Sequence, residues 1–298
     1  MGTKLKKGSL IGIAAASSPF DENLFNAGVT VLKKIGFEVF FRKDLFAKAG
    51  YLAGDDQRRA EELTELLSNK KIEAVFFARG GYGAQRIIPL LPVEKIKKFT
   101  PKPLIGFSDV TALLTFFRQN FSYPTLYAPS LTLLGNSPTE RTIDSLRRHL
   151  TDNKPIAPLP LTDDNIFREG KVSGELTGGC LSLLTTSIGT PYQLKADGKI
   201  LFIEDVNEKG YAIDRMLTQM KNGGHLKDVK GILIGTMQTA DGVELVSILK
   251  RTLADFAGPI VTGIPSGHDP DFISLPLGRK ITVDTPNKKL IFEEPLLT

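Results

Sequence analysis

The sequence predicts an α/β protein in which a parallel β-sheet covered by helices is followed by a second unit rich in strands. Three observations carry this expectation. Short apolar runs alternate with amphipathic stretches from residue 8 to about 150, a proline-rich stretch without periodicity interrupts them at 151–169, and new strand-like runs begin near Gly170. Alternation of this kind implies parallel strands buried on both faces, with a ligand crevice at their carboxyl ends.

In order along the chain, the apolar runs 10–16, 38–41, 74–78, 104–107 and 125–128 read as strands. The lysines at 4, 6 and 7 ahead of the first run imitate a secretory signal, but the apolar stretch is short and leads into the turn-like Ser17-Ser-Pro-Phe20, so a first strand is the better reading. A helical pattern spans 24–35. Another helix is expected to start at Ser137-Pro-Thr-Glu140, with Ser137 as cap, Pro138 first and Glu140 three residues on. The three prolines within 151–169 suggest an extended linker. The expected domains are therefore 1–150 and 170–298, the second with strands at 200–203, 232–234, 260–261, 281–283 and 290–292 and helices at 212–220 and 243–256.

Bulk properties exclude several classes of function. The 298 residues, 41% hydrophobic and 24% charged, suit a soluble globular protein with a sizeable core. A formal charge of +5 is spread too thinly to argue for nucleic acid. One cysteine, Cys180, permits no intrachain disulfide and no cysteine-rich zinc site. No run approaches the roughly 20 apolar residues that span a bilayer. Neither a nucleic-acid nor a membrane partner is expected, and a cytoplasmic setting is.

Ser108 is the first chemical candidate, because it ends an apolar run and opens the helix-like stretch 109–117. A strand-to-helix corner lifts a hydroxyl above the sheet and aims the next backbone N–H groups at whatever that hydroxyl attacks. Near neutral pH such a serine needs a base, and only three histidines exist. His149 ends a helix, where the helix dipole accounts for it, and His225 follows Gly223-Gly224 as a loop residue. His268 lies in the stiff turn Ser266-Gly-His-Asp-Pro270 and is either the base or a turn histidine. The pair Glu204-Asp205 emerges after the run 199–203, as an acid for the histidine, a helix cap or a cation site. Ser, acid, His is one of the known triad orders.

The glycine loop Arg79-Gly-Gly-Tyr-Gly83 follows a strand and matches neither a P-loop nor a dinucleotide fingerprint. The N–H of Gly81 could pair with that of Asp109 as an oxyanion hole, while Arg79, beside Tyr82, could clamp a substrate carboxylate or simply hold the loop by a salt bridge.

Taken together, Ala78-Arg-Gly-Gly-Tyr-Gly83, Gly106-Phe-Ser-Asp109, Leu176-Thr-Gly-Gly-Cys-Leu181, Gly189-Thr-Pro-Tyr192, Phe202-Ile-Glu-Asp205 with Tyr211-Ala-Ile-Asp-Arg215, and Gly263-Ile-Pro-Ser-Gly-His268 resemble the LD-carboxypeptidase family of serine peptidases, in order over nearly the whole chain. The resemblance implies a flavodoxin-like or glutamine-amidotransferase-like N-terminal α/β domain and a smaller β-rich C-terminal domain. It implies Ser108 as nucleophile, Glu204 as acid and His268 as base, meeting across the two domains. It also implies a homodimer without metal or organic cofactor that removes terminal D-alanine from murein tetrapeptides. Microcin C immunity peptidases share that triad and carry an added aromatic-bearing loop for a nucleotide; this chain has no tryptophan and no evident insertion at 150–200. Two segments depart from the pattern: Tyr127-Ala-Pro129 stands where relatives often have His-Gly-Pro, and Gly178-Gly-Cys180 where Gly-Gly-Asn is common.

Overall fold

The computed structural model describes residues 2–298, and its strands form two sheets. The first holds β1 (Leu10–Ala14), β2 (Glu38–Phe40), β3 (Ile72–Phe77), β4 (Leu104–Gly106) and β5 (Thr125–Tyr127). These five run parallel in the order β2-β1-β3-β4-β5, the flavodoxin order, whose switch point lies between β1 and β3. Side chains on β3 alternate faces, Val75 and Phe77 pointing into one apolar core and Ala74 and Phe76 into the other.

The second sheet has eight strands. They are β6 (Leu159–Pro160), β7 (Ile166–Arg168), β8 (Lys171–Cys180), β9 (Ile200–Val206), β10 (Gly231–Gln238), β11 (Ile260–Val261), β13 (Lys280–Asp284) and β14 (Lys289–Phe292), in the order β6-β14-β13-β8-β9-β10-β11-β7. Its centre, β8 to β11, is parallel, and the outer pairs are antiparallel. The remaining strand, β12 (Leu275–Leu277), leaves this unit and pairs antiparallel with β5 of the first sheet.

Several elements differ from the sequence expectations. The proline-rich segment 151–169 is not purely a connector, since β6 and β7 pair onto opposite edges of the second sheet; an edge is where the missing N–H of Pro160 is tolerated. The ten-residue β8 was hidden because its Gly174, Gly178 and Gly179 dilute any apolar period. The helix expected to be capped by Ser137 spans Glu140–Thr151 and is capped by Thr139, whose hydroxyl accepts the Thr142 N–H at 3.1 Å. Ser137 has a φ of +51°, outside the extended backbone of a cap.

One apolar core joins the two layers, drawing Leu104, Phe117 and Tyr127 from the first and Leu176, Phe202 and Phe272 from the second. The helix Thr111–Phe121, directly after Ser108, contributes Leu113, Leu114 and Phe117 to it. The layers are thus held in register beneath the site by continuous burial. Among the described residues no helix is long and apolar enough to cross a membrane.

Candidate active site

Ser108 sits where expected, between β4 and the helix Thr111–Phe121, on a single 3₁₀ turn. Its φ is +61°, a left-handed conformation that a residue other than glycine adopts at a cost of about 1–3 kcal/mol. The neighbouring backbone accommodates that corner through Gly80. A Cβ there would lie 2.8 Å from Ser108 Cβ and 3.0 Å from its Oγ.

Across the interlayer seam, His268 Nε2 lies 3.0 Å from Ser108 Oγ, and His268 Nδ1 lies 2.8 Å from Glu204 Oε2. An ionised carboxylate only accepts hydrogen bonds, so Nδ1 carries the proton and Nε2 is left with a lone pair for the serine hydroxyl. The three side chains singled out in the sequence therefore form one hydrogen-bonded line, from the end of β4 through the loop after β11 to β9. Phe107 lies against the imidazole, with ring centroids 4.8 Å apart. Gly267, with φ +133°, lets the histidine loop approach, because a Cβ there would stand 2.7 Å from Glu204 Oε2.

Glu204 and Asp205 lie inside β9 and not beyond it, and both are buried. Their roles diverge. Glu204 is fully buried and faces His268, whereas Asp205 Oδ2 accepts the Ser182 N–H at 2.7 Å and caps the helix Leu181–Thr186. Burial pushes the Asp205 carboxyl above its ordinary range, while the Ser182 N–H pulls it back. Neither member is a helix N-cap residue, since Cys180 and Lys209 hold those positions for the neighbouring helices; Asp205 instead reaches a helix end from across the fold, and the histidine contact belongs to Glu204.

The glycine loop is fastened from below. Asp109 Oδ2 accepts from Ser17 Oγ at 2.6 Å and from the Ala84 N–H at 2.8 Å, joining the loops after β1, β3 and β4. Burial raises this carboxyl, and the two donors oppose the rise. Arg59, wholly buried, donates to the carbonyls of Ala16 and Gly83. Ser18 Oγ accepts the Tyr82 N–H at 3.1 Å, and Gly81, with φ +102°, leaves room for that hydroxyl, which a Cβ would meet at 2.4 Å. Arg79 is exposed at the rim and donates to the Pro19 carbonyl; among the described residues it makes no salt bridge of the kind considered for it. Tyr82 is 50% exposed and packs on Tyr51 at 5.7 Å between ring centroids.

His149 and His225 lie outside the site. The dipole account of His149 needs a correction: the ring is buried, its Nε2 lies 2.9 Å from the Ser274 carbonyl, and burial lowers its pKa to about 4, so near neutral pH it carries no charge for a dipole to attract. His225 occupies the loop after the helix Gly210–Asn222, as expected.

Sequence reasoning passed over Tyr127, Ser17, Ser18 and Arg59 as parts of the site. Tyr127 was noted only as a departure from a pattern. It donates to Glu204 Oε1 at 2.5 Å and accepts the Ser108 N–H at 3.3 Å. The signal that finds it is register, since β4 and β5 run parallel and pair Gly106 with Tyr127. Among the described residues no group of three or more His, Cys, Asp or Glu side chains is arranged to hold a metal ion.

A serine hydroxyl, a correctly tautomerised imidazole and a buried carboxylate can together perform acyl transfer. Comparison with known proteins points the same way. Residues 11–128 match the model of the LD-carboxypeptidase N-terminal domain, and residues 173–283 that of the C-terminal domain. The chain is 34% identical over 300 residues to the probable murein peptide carboxypeptidase of Bacillus subtilis, covering 97% of this chain and 93% of that protein. The microcin C7 self-immunity protein MccF of Escherichia coli is 28% identical over 334 residues, covering 100% of this chain and 97% of that protein. Its solved structure superimposes with a TM-score of 0.91 at 27% identity, over 100% of this chain and 99% of that one. The muramoyltetrapeptide carboxypeptidase of Oxalobacter formigenes gives 0.85 at 26% identity, over 96% and 99%. This chain belongs to the LD-carboxypeptidase family and is a serine carboxypeptidase.

Proposed function

We propose that the enzyme hydrolyses the amide that joins the third residue of a murein tetrapeptide to its terminal D-alanine. The observation that carries the reading is the unbroken line of contacts from Ser108 through His268 to Glu204, formed between side chains from different layers. Ser108 Oγ attacks the carbonyl carbon while His268 Nε2 takes its proton. The N–H groups of Asp109 and Gly81 receive the developing oxyanion, each donor contributing about 3 kcal/mol. As the C–N bond breaks, His268 returns the proton to the leaving amine of D-alanine. Water then attacks the acyl-enzyme by the same proton route and frees the tripeptide. Glu204 fixes the imidazole and balances its transient charge, while Arg79 and Tyr82 meet the substrate at the rim, Arg79 through the terminal carboxylate. No metal or organic cofactor takes part.

In this reading the lobe 1–150 carries the nucleophile, 170–298 carries the acid and base, and 151–169 connects them. The enzyme works in the cytoplasm on recycled wall fragments, as a homodimer. Incubation with a muropeptide ending in D-alanine yields tripeptide and D-alanine by mass spectrometry, and Ser108→Ala abolishes this. Equal turnover by the two proteins would remove Ser108 from its role.

The match to MccF supports a second reading, cleavage of a peptide-nucleotide antibiotic through the same residues. The absence of tryptophan from the chain favours murein, because it removes the best stacking side chain for a base. Assaying both substrates side by side separates the two.

A further inference from the structure

Tyr127 ends β5 with its ring fully buried, edge-on to Phe107 and Phe202 at centroid separations of 6.2 and 5.3 Å. A phenol in such surroundings must find partners for its hydroxyl. It has two, on different layers: the N–H of Ser108 and Oε1 of Glu204. The direction of the second bond is fixed. Burial, and then the negative charge of Glu204, hold the hydroxyl well above its ordinary pKa, so it keeps its proton and donates. The titratable groups facing this point are Glu204 from β9 and Cys180 from β8, whose thiol is likewise pushed up by burial, with Asp205 beyond Cys180. His268 approaches the other oxygen of Glu204 from the loop after β11.

We propose that Tyr127 is a positioning residue for hydrolysis, its hydroxyl tying the strained corner of the nucleophile to the carboxylate that orients the base. The proposal rests on the peptidase reading above. Two consequences follow from the geometry. The Ser108 N–H is already engaged, so oxyanion donors on this side begin with Asp109, the residue after the nucleophile. In addition, the buried carboxylate divides its negative charge between two donors. Without the phenol that charge falls on His268 alone, which then holds a proton to higher pH.

The test is Tyr127→Phe, which keeps the ring and its packing, with kcat and KM followed from pH 5 to 9. A doubly protonated imidazole cannot accept the serine proton, so tighter proton binding delays the onset of activity. We expect kcat to fall by about 10- to 100-fold with KM within about twofold, and the acid limb of the kcat/KM profile to move up by about one pH unit. Phe202→Leu loosens the same packing without touching the hydroxyl, and should lower Tm with the limb unmoved. Wild-type kcat in Tyr127→Phe would overturn the proposal, and so would a lower kcat with an unmoved limb, which marks simple packing. Ser108→Ala run alongside separates the two claims, because activity surviving in that variant defeats the peptidase reading whatever Tyr127→Phe does.

Discussion

Replacing Gly80 by alanine probes the nucleophile without removing any polar group. Gly80 has no positive φ, so the alanine backbone itself is permitted. The added methyl is the difficulty. It would sit 2.8 Å from Ser108 Cβ, whereas carbon atoms in contact lie about 3.5 Å apart, so one side must yield by about 0.7 Å. Ser108 is held in place by the next residue, Asp109, whose carboxylate accepts from Ser17 and Ala84, so little slack exists. If the serine takes the displacement away from His268, its 3.0 Å contact with Nε2 stretches beyond hydrogen-bond range. Misplacement on this scale costs about 100-fold in rate, and overpacking costs about 1–3 kcal/mol of stability, which a domain of ordinary stability survives. The assay is kcat/KM for D-alanine release, with circular dichroism to establish folding. Gly174→Ala serves as control, since its Cβ would meet nothing closer than 3.5 Å. A folded Gly80→Ala enzyme within twofold of wild type would refute the placement of the reacting hydroxyl.

Two further outcomes concern groups the chemistry does not consume. Asp109→Ala leaves the Ser17 hydroxyl and the Ala84 N–H without their shared acceptor, and should cost about 1–3 kcal/mol in denaturant titration while lowering kcat/KM at least tenfold, because the loop after β3 is released. His149 has a folded pKa of about 4, below its unfolded value of 6.5, so the unfolded chain binds the extra proton within that window. Its contribution is complete above pH 6.5 and fades as pH falls through 4, by about 3 kcal/mol in total. The stability advantage of wild type over His149→Gln should shrink between pH 7 and pH 4, and an advantage constant across that range would contradict the burial argument.

Local patterns revealed much of the molecule. The strands at 10, 74, 104 and 125 are runs of apolar side chains whose type is set within the run, and the corner at Ser108 follows from a strand meeting a helix. What escaped was set by distant pairing. Strand β8 owes its existence to β9 and β13 on either side, and its glycines serve close approaches, Gly178 to the Phe202 carbonyl and Gly179 to Thr111, that no local rule reports. Strand β12 is three residues containing a proline, recognisable only once β5 is there to receive it. At the site, residue type and context singled out Ser108, the pair Glu204-Asp205 and His268 as candidates, and the resemblance to the family assigned their roles and chose Glu204 within the pair. Sequence reasoning missed Arg59 and Tyr127, whose types are common and whose importance comes from burial. The failed cap at Ser137 belongs to the same class, since Thr139 and Thr142 are both tied to the histidine loop, through Asp271, Pro270 and Phe272.

The path of the chain through β12 has an outcome for how the enzyme comes into being. Residues 2–150 cannot finish their own sheet: the outer edge of β5 stays bare until Leu275–Leu277 emerges, and Leu296 and Leu297 must arrive to seal the opposite face. An N-terminal fragment synthesised alone would expose a sticky margin and self-associate. During translation the reactive corner therefore exists before its partners do, and it is armed only after His268, Leu275–Leu277 and Leu296–Leu297 have followed it out of the ribosome.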